Sequence, residues 1–132
     1  MAIQWQKSLG GSDNEFAWSI QQTSEGGYIV SASTISNDGD VSDNHGESDF
    51  WIVKLDGSGT IQWQKSLGGS EYDHSYSIQQ TTDGGYIVSG STESNDGDVS
   101  GNHGTFDPQN RAYWINKTGW IGYHSMAEIS WR

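Results

Sequence analysis

Hydrophobic and polar residues alternate along this chain in short bursts, and turn residues end each burst before it reaches the length of a helix. In Ile61 to Leu67 the pattern predicts Ile61, Trp63, Lys65 and Leu67 on one face and Gln62, Gln64 and Ser66 on the other, as in a half-buried strand. Phe16 to Thr23 and Tyr28 to Thr34 carry the aromatic and β-branched residues of two further strands. Phe50 to Leu55, FWIVKL, is apolar on both faces and predicts a strand in a sheet with a neighbour above and another below. SEGG joins the first two strands and DGSG the last two, with glycines that accept positive φ, so each pair reads as a hairpin. The expected unit is an antiparallel four-stranded meander.

That unit occurs twice. Ile3 to Ser12 reads IQWQKSLGGS, and Ile61 to Ser70 reads the same ten letters, 58 residues on. The register continues through SIQQT at Ser19 and Ser77, GGYIVS at Gly26 and Gly84, SNDGDVS at Ser36 and Ser94, and NHG at Asn44 and Asn102. Such identity marks duplication of one structural unit. The expected organisation is a single repeat domain over 1–132, with one copy over about 3–60, a second over about 61–119 and a cap over about 120–132. After Gly104 the second copy diverges: TFDPQNRAYWINKTGWIGYHS replaces ESDFWIVKLDGSGTIQW, and Pro108 cannot donate to a ladder. Residues 105–111 read as an extended loop or edge, and Tyr113 to Ile115 with Trp120 to Ser125 as a last hairpin around Asn116 to Gly119.

The run LGGSEYDHSYSIQQTTDGGYIVSGSTESNDGD, with DFWIVKLDGSGTIQW of the first copy, resembles the bacterial β-propeller repeat family of secreted and surface proteins. The resemblance covers nearly all of residues 3 to 107. It implies an all-β fold of two tandem four-stranded antiparallel blades of a β-propeller, a location outside the cell or on its surface, and assembly or ligand binding as the function. It implies no catalytic residue. Two blades share one interface, so the expectation is completion by a homo-oligomer, a trimer of six blades first and a tetramer of eight next. The alternative is a compact two-sheet β-sandwich with the two units face to face.

Charge and composition narrow the partners. Seventeen acidic against six basic residues give a net charge of −11, which repels nucleic acid and anionic membrane. The same acidity suits solubility, a divalent cation, or a basic partner surface. No stretch approaches the ~18 apolar residues of a membrane span, and MAIQWQKSLG has no apolar signal core. The absence of cysteine excludes disulfides and thiolate chemistry.

The richest candidate chemistry lies in SNDGDVSDNHGESD, Ser36 to Asp49, and its counterpart from Ser94. Asp38 and Asp40, matched by Asp96 and Asp98, place hard oxygen ligands on alternate residues across a glycine, a spacing that suits calcium, with Asn37 and Asn95 as added carbonyl donors. The loop is not an EF-hand. The competing reading is an Asx-rich turn whose side chains bond the loop's own backbone. His45 and His103 match each other but come one to a loop, which suits backbone bonding better than zinc, and His74 and His124 have no counterparts and no assigned role.

No serine sits in a nucleophile elbow and no phosphate loop is present, so the chain reads as a non-enzymatic binding or assembly module. Its expected ligand is protein or glycan, with Trp18 and Tyr76 as the aromatic faces for a sugar, while Trp5 and Trp63 read as packing between units. The competing readings are an acidic inhibitor or mimic on a basic partner site, and an engineered or excised propeller fragment.

Overall fold

In a computed structural model, which describes residues 2–102 and 112–118, the short alternating segments become seven strands with no helix among them. The first sheet has the order β1 (Glu15–Gln22), β2 (Tyr28–Thr34), β3 (Asp49–Leu55), β4 (Ile61–Leu67), antiparallel throughout. The second has β5 (Asp73–Gln80), β6 (Tyr86–Thr92) and β7 (Ala112–Thr118), again antiparallel. The fold is therefore all-β, in two antiparallel sheets. Because β4 belongs to the first sheet, the structural unit straddles the boundary between the two sequence copies.

The turns close as their residues require. Thr23 and Gly27 bond across the first hairpin, and Asp56 and Thr60 across the second, where the Asp56 carboxylate also accepts from the Ser58 and Thr60 amides. Each first hairpin is also pinned to the third strand of its own sheet by an ion pair: Glu25 with Lys54 at 2.9 Å, and Asp83 with Lys117 at 3.0 Å. Lys54 is buried and further held by Gln62 and the Leu55 carbonyl. Burial raises the Glu25 carboxyl, but hydrogen bonds from Lys54, from its own backbone amide and from Thr23, with the Lys54 charge, together outweigh it and bring the group down to about 2.

Every residue of β3 is buried, as the doubly apolar sequence predicts. On one face, Phe50 and Ile52 join Ile29, Leu67 and the half-buried Trp63; we call this the leading face. On the trailing face, Trp51, Val53 and Leu55 join Ala32, Tyr28 and Val30, covered in part by Leu9 and Val41. The leading face of the first sheet packs on Ile78, Tyr86, Val88 and Trp114 of the second. Those four residues correspond to Ile20, Tyr28, Val30 and Trp51, so they form the trailing face of their own sheet. The sheets thus stack leading face on trailing face. At the centre, Phe50 lies 4.8 Å from Trp114, and Gly90 gives it room: a Cβ there would fall 2.6 Å from the Phe50 ring. Serines join the sheets along β2 and β5, Ser75 donating its hydroxyl to the Ala32 carbonyl and its amide to Ser33.

Two expectations are corrected. Gln62 is an extra residue in the β3–β4 ladder, where Lys54 faces Trp63 and Leu55 faces Ile61. The bulge turns Ile61 onto the trailing face, away from Trp63 and Leu67, so the four residues do not share one side. In the second copy the third strand runs over Ala112–Thr118, with Asn116 inside it and not in a turn. Through their shared partners on β2 and β6, Ala112 stands where Asp49 stands, 63 residues on and not 58, so the inserted residues precede the strand. Trp114, Ile115 and Lys117 keep the places of Trp51, Ile52 and Lys54, while Asn116 replaces Val53. Trp120 to Ser125 lie outside the described residues.

The packing makes Phe50 the centre of the contact between sheets. Phe50→Ala is expected to destabilise the fold by about 3–5 kcal/mol, because the facing glycine leaves a cavity with no side chain to fill it. Urea denaturation followed by tryptophan fluorescence measures the loss; a change below about 1 kcal/mol would mean that the sheets do not meet at this ring.

Candidate functional site

Trp18 and Tyr76 are equivalent residues, and each is the extra residue of a bulge: the β1–β2 ladder shifts between Ala17 and Ser19, the β5–β6 ladder between Ser75 and Ser77. A bulge re-aims its side chain. Stacking of the sheets then brings the two rings to 5.6 Å in edge contact, with Phe16 stacked 6.4 Å from Trp18. The three rings remain about half exposed, at 54% for Phe16, 50% for Trp18 and 46% for Tyr76. Ser33 accepts from the Trp18 indole at 3.2 Å and fixes its orientation. The outcome is an exposed aromatic strip along the first strands of both sheets. Of the predicted site residues, these two are brought together.

Asp38, Asp40, Asp96 and Asp98 are paired with backbone amides. Asp40 accepts from the Gly10 amide at 3.0 Å and Asp98 from the Gly68 amide at 3.1 Å, while their own amides donate to the carbonyls of those glycines. Asp38 accepts from Ser12 at 2.7 Å and Asp96 from Ser70 at 2.8 Å, bonds that hold both carboxyls below the ordinary range. Asn37 and Asn95 accept from Asn44 and Asn102 within their own loops. The asparagines therefore form local turns, and the aspartates clamp the loop onto the Leu-Gly-Gly-Ser segment. Gly39 and Gly97, at φ of 63° and 60°, let it approach so closely that a Cβ would fall 2.5 Å from the carbonyl of Gly10 or Gly68. Among the described residues, no group of three or more His, Asp or Glu side chains is placed to hold a metal ion.

A second polar centre joins the two units. Asp49, fully buried, accepts from the His45 amide at 2.9 Å and pairs with its Nδ1 at 2.6 Å, and His45 Nε2 lies 3.6 Å from Asp98. Asp73, also fully buried, accepts from Gly69, Thr92 and Ser94, and both carboxylates crowd Gly68. Burial pushes both carboxyls up, Asp73 to about 6, and each is raised further by a neighbouring acid. Asp73 corresponds to Glu15, which accepts from Gly11 and Thr34 in the same way, so an acid at the same place in both copies was the signal for this role. His103 lies outside the described residues.

A comparison with protein-family models, with curated proteins and with solved structures finds no match for this chain.

Loss of the clamp is expected to be independent of metal. Asp98→Ala removes the acceptor from Gly68 and should cost about 1–3 kcal/mol, equally in millimolar calcium and in chelator. A loss confined to the calcium sample would make the carboxylate a cation ligand instead.

The buried acids set a pH dependence. The folded pKa of Asp73 stands above its unfolded value of about 3.9, so the folded state binds that proton more tightly. The stability it contributes is complete below about pH 4 and is lost as pH rises through about 6. The melting temperature is therefore expected to rise on going from pH 7 to pH 5, and to fall at lower pH as Glu25 loses its charge. In Asp73→Asn the rise between pH 7 and 5 should be reduced whatever the absolute stability; an unchanged slope would place the titration elsewhere.

Proposed function

We propose that this chain is a non-enzymatic binding module of the β-propeller type, its two sheets being successive blades, and that it takes a saccharide on the aromatic strip of Phe16, Trp18 and Tyr76. The single observation that supports this reading is the stacking of leading face on trailing face, which sets equivalent bulge residues of both copies side by side and leaves their rings half exposed. In a closed sandwich of like faces, the two units would be related by a two-fold axis. Here each sheet repeats its predecessor in the same sense, as blades do.

Exposed aromatic rings of this kind suit a sugar because the C–H face of a pyranose packs on a π-face, while amides and hydroxyls nearby bond its hydroxyl groups. Gln21 and Gln80 supply side-chain amides near this edge, the carbonyl of Gln21 already accepting from the Gln80 backbone. Rings on bulged, rigid strands lose little freedom on binding.

Titration with neutral oligosaccharides should quench or shift the tryptophan fluorescence, and Trp18→Ala should weaken binding about tenfold or more, the loss of one good contact of about 1.4 kcal/mol. Because Trp18 is half exposed, its variant is expected to keep the fold, as far-ultraviolet circular dichroism would show. Undiminished binding by Trp18→Ala, or no binding to any oligosaccharide of a broad array, would overturn the saccharide reading.

A further inference from the structure

The aromatic strip does not end at Tyr76. It continues back along β5 through His74 to Tyr72, the residue before the strand, and these two rings lie 6.3 Å apart and nearly parallel, at 13°. Tyr72 and His74 stand where Asn14 and Phe16 stand in the first unit. Tyr72 is 44% exposed, and Asn14 is exposed as well although the second sheet is stacked on the first, so openness at this place comes with the repeat and not with the end of the stack. Four residues at about 3.3 Å each set Tyr72 up to about 13 Å from Tyr76, the span of a short oligosaccharide.

Two observations set this end of the strip apart. The first is its carboxylates. The Asp73 amide donates to the Ser48 carbonyl at 2.6 Å, which draws the end of the long loop of the first unit, with Glu47, against Tyr72. The Glu93 amide donates to the Tyr72 carbonyl at 2.9 Å, and Glu71 is the chain neighbour of Tyr72. The Glu47 charge foremost, then burial, a hydrogen bond with the same carboxylate and the charges of Glu93 and Glu71, push the Tyr72 hydroxyl above its ordinary range. In the first unit Asn14 and Ile35 take the places of Tyr72 and Glu93, so the ring among acids belongs to the second unit. The second observation is a hydroxyl. Ser91 faces His74 across the β5–β6 ladder, is 7% exposed, and its Oγ has no hydrogen-bond partner. Its counterpart Ser33 accepts from the Trp18 indole at 3.2 Å on the strip side and from the Ser75 amide. Tyr76 has no ring N–H to give, so the same hydroxyl in the second unit is an unmet acceptor turned to the strip.

We propose that the saccharide bound by this strip carries a free amine, and that its ammonium group lies on the Tyr72 ring among Glu47, Glu71 and Glu93, while the adjoining sugar unit donates to Ser91. An ammonium is drawn to the face of a tyrosine and to carboxylates at once, and it has three hydrogen bonds to donate and none to accept. This end of the strip is its complement, with a π-face, carboxylate oxygens and a hydroxyl acceptor. A neutral sugar hydroxyl would gain the hydrogen bonds alone. The net charge of −11 adds attraction for a cation at low salt, where screening is weak. The inference rests on the saccharide reading and narrows its ligand to an amino sugar.

The probes are a tetramer of β-1,4-linked glucosamine and its fully N-acetylated form, which share one backbone and differ in the charge at nitrogen. Both are titrated into the full chain and followed by tryptophan fluorescence at about pH 6, below the usual range of an amine flanked by electron-withdrawing groups. The glucosamine form should bind about tenfold more tightly at low salt, and the difference should shrink as salt is added. Glu47→Gln changes an exposed residue and keeps its size and an acceptor oxygen; it should lower that preference about threefold. Trp18→Ala should weaken both forms, and far-ultraviolet circular dichroism checks the fold of each variant. Affinities of the two forms equal within about twofold would overturn the amine and leave the saccharide reading in place. Binding of neither form would overturn it too, and the neutral array then decides whether the saccharide reading falls with it. A preference unchanged in Glu47→Gln, or glucosamine binding indifferent to Trp18→Ala, would put the cation elsewhere and overturn the proposal. Oligolysine bound as tightly as the glucosamine tetramer would show a response to charge without sugar and overturn it as well.

Discussion

The strand Asp49–Leu55 has no face to give to water. Phe50 and Ile52 on one side and Trp51, Val53 and Leu55 on the other are all buried, and burial of side chains of this size is worth about 1.5–3 kcal/mol each. A single four-stranded sheet cannot satisfy such a strand, because it covers neither of its own faces. Something must lie above and below. In this chain the second sheet lies on one side, and the Val41 loop with the N-terminal segment lies on the other.

The requirement has a direction. Since both copies carry a similar pattern, a leading face of Ile with Phe50 or its counterpart Tyr113 and a trailing face of Tyr, Val and Trp, stacking unlike faces repeats one contact without end, whereas stacking like faces would use it once. The repeated contact of Trp5 on Tyr28 and Trp63 on Tyr86 shows the chain following the first course. Gly90 under Phe50 is the steric detail that brings the sheets together there; the first copy has Ala32 at that place.

Much of this was legible from the residues. Strand order and hairpins follow from the alternation and from the SEGG and DGSG turns, because those signals are local. The bulges at Trp18, Gln62 and Tyr76 were not legible, since a bulge is set by the partner strand and leaves no mark in the strand that carries it. For the same reason Ile61 was expected beside Trp63 and is found on the opposite face. The third strand of the second copy was obscured by Asn116 in the place of Val53, which breaks the apolar run although the backbone register is kept. Trp18 and Tyr76 were legible as candidates, but their meeting was not, because it depends on how one sheet sits on the next. The repeated aspartates were conspicuous, whereas their partners, the amides of Gly10 and Gly68, lie 30 residues away and carry no side-chain signal.

The polar groups then explain why stacking is orderly and not mere collapse. Apolar faces alone tolerate sliding, since their attraction has little direction. Hydrogen bonds do not. Ser75 to Ala32, Ser48 to Asp73 and Gln80 to Gln21 each tie one sheet to the other at a fixed position, and the His45 and Asp49 pair sits where the loop of the first unit meets the glycine turn of the second. Asp49 and Asp73 are costly groups to bury, and unpairing either would cost more than an apolar residue there would gain. Their presence at the junction fits a role in fixing register. The apolar faces supply the attraction, the buried acids and serines select one alignment, and that alignment places the aromatic bulges side by side.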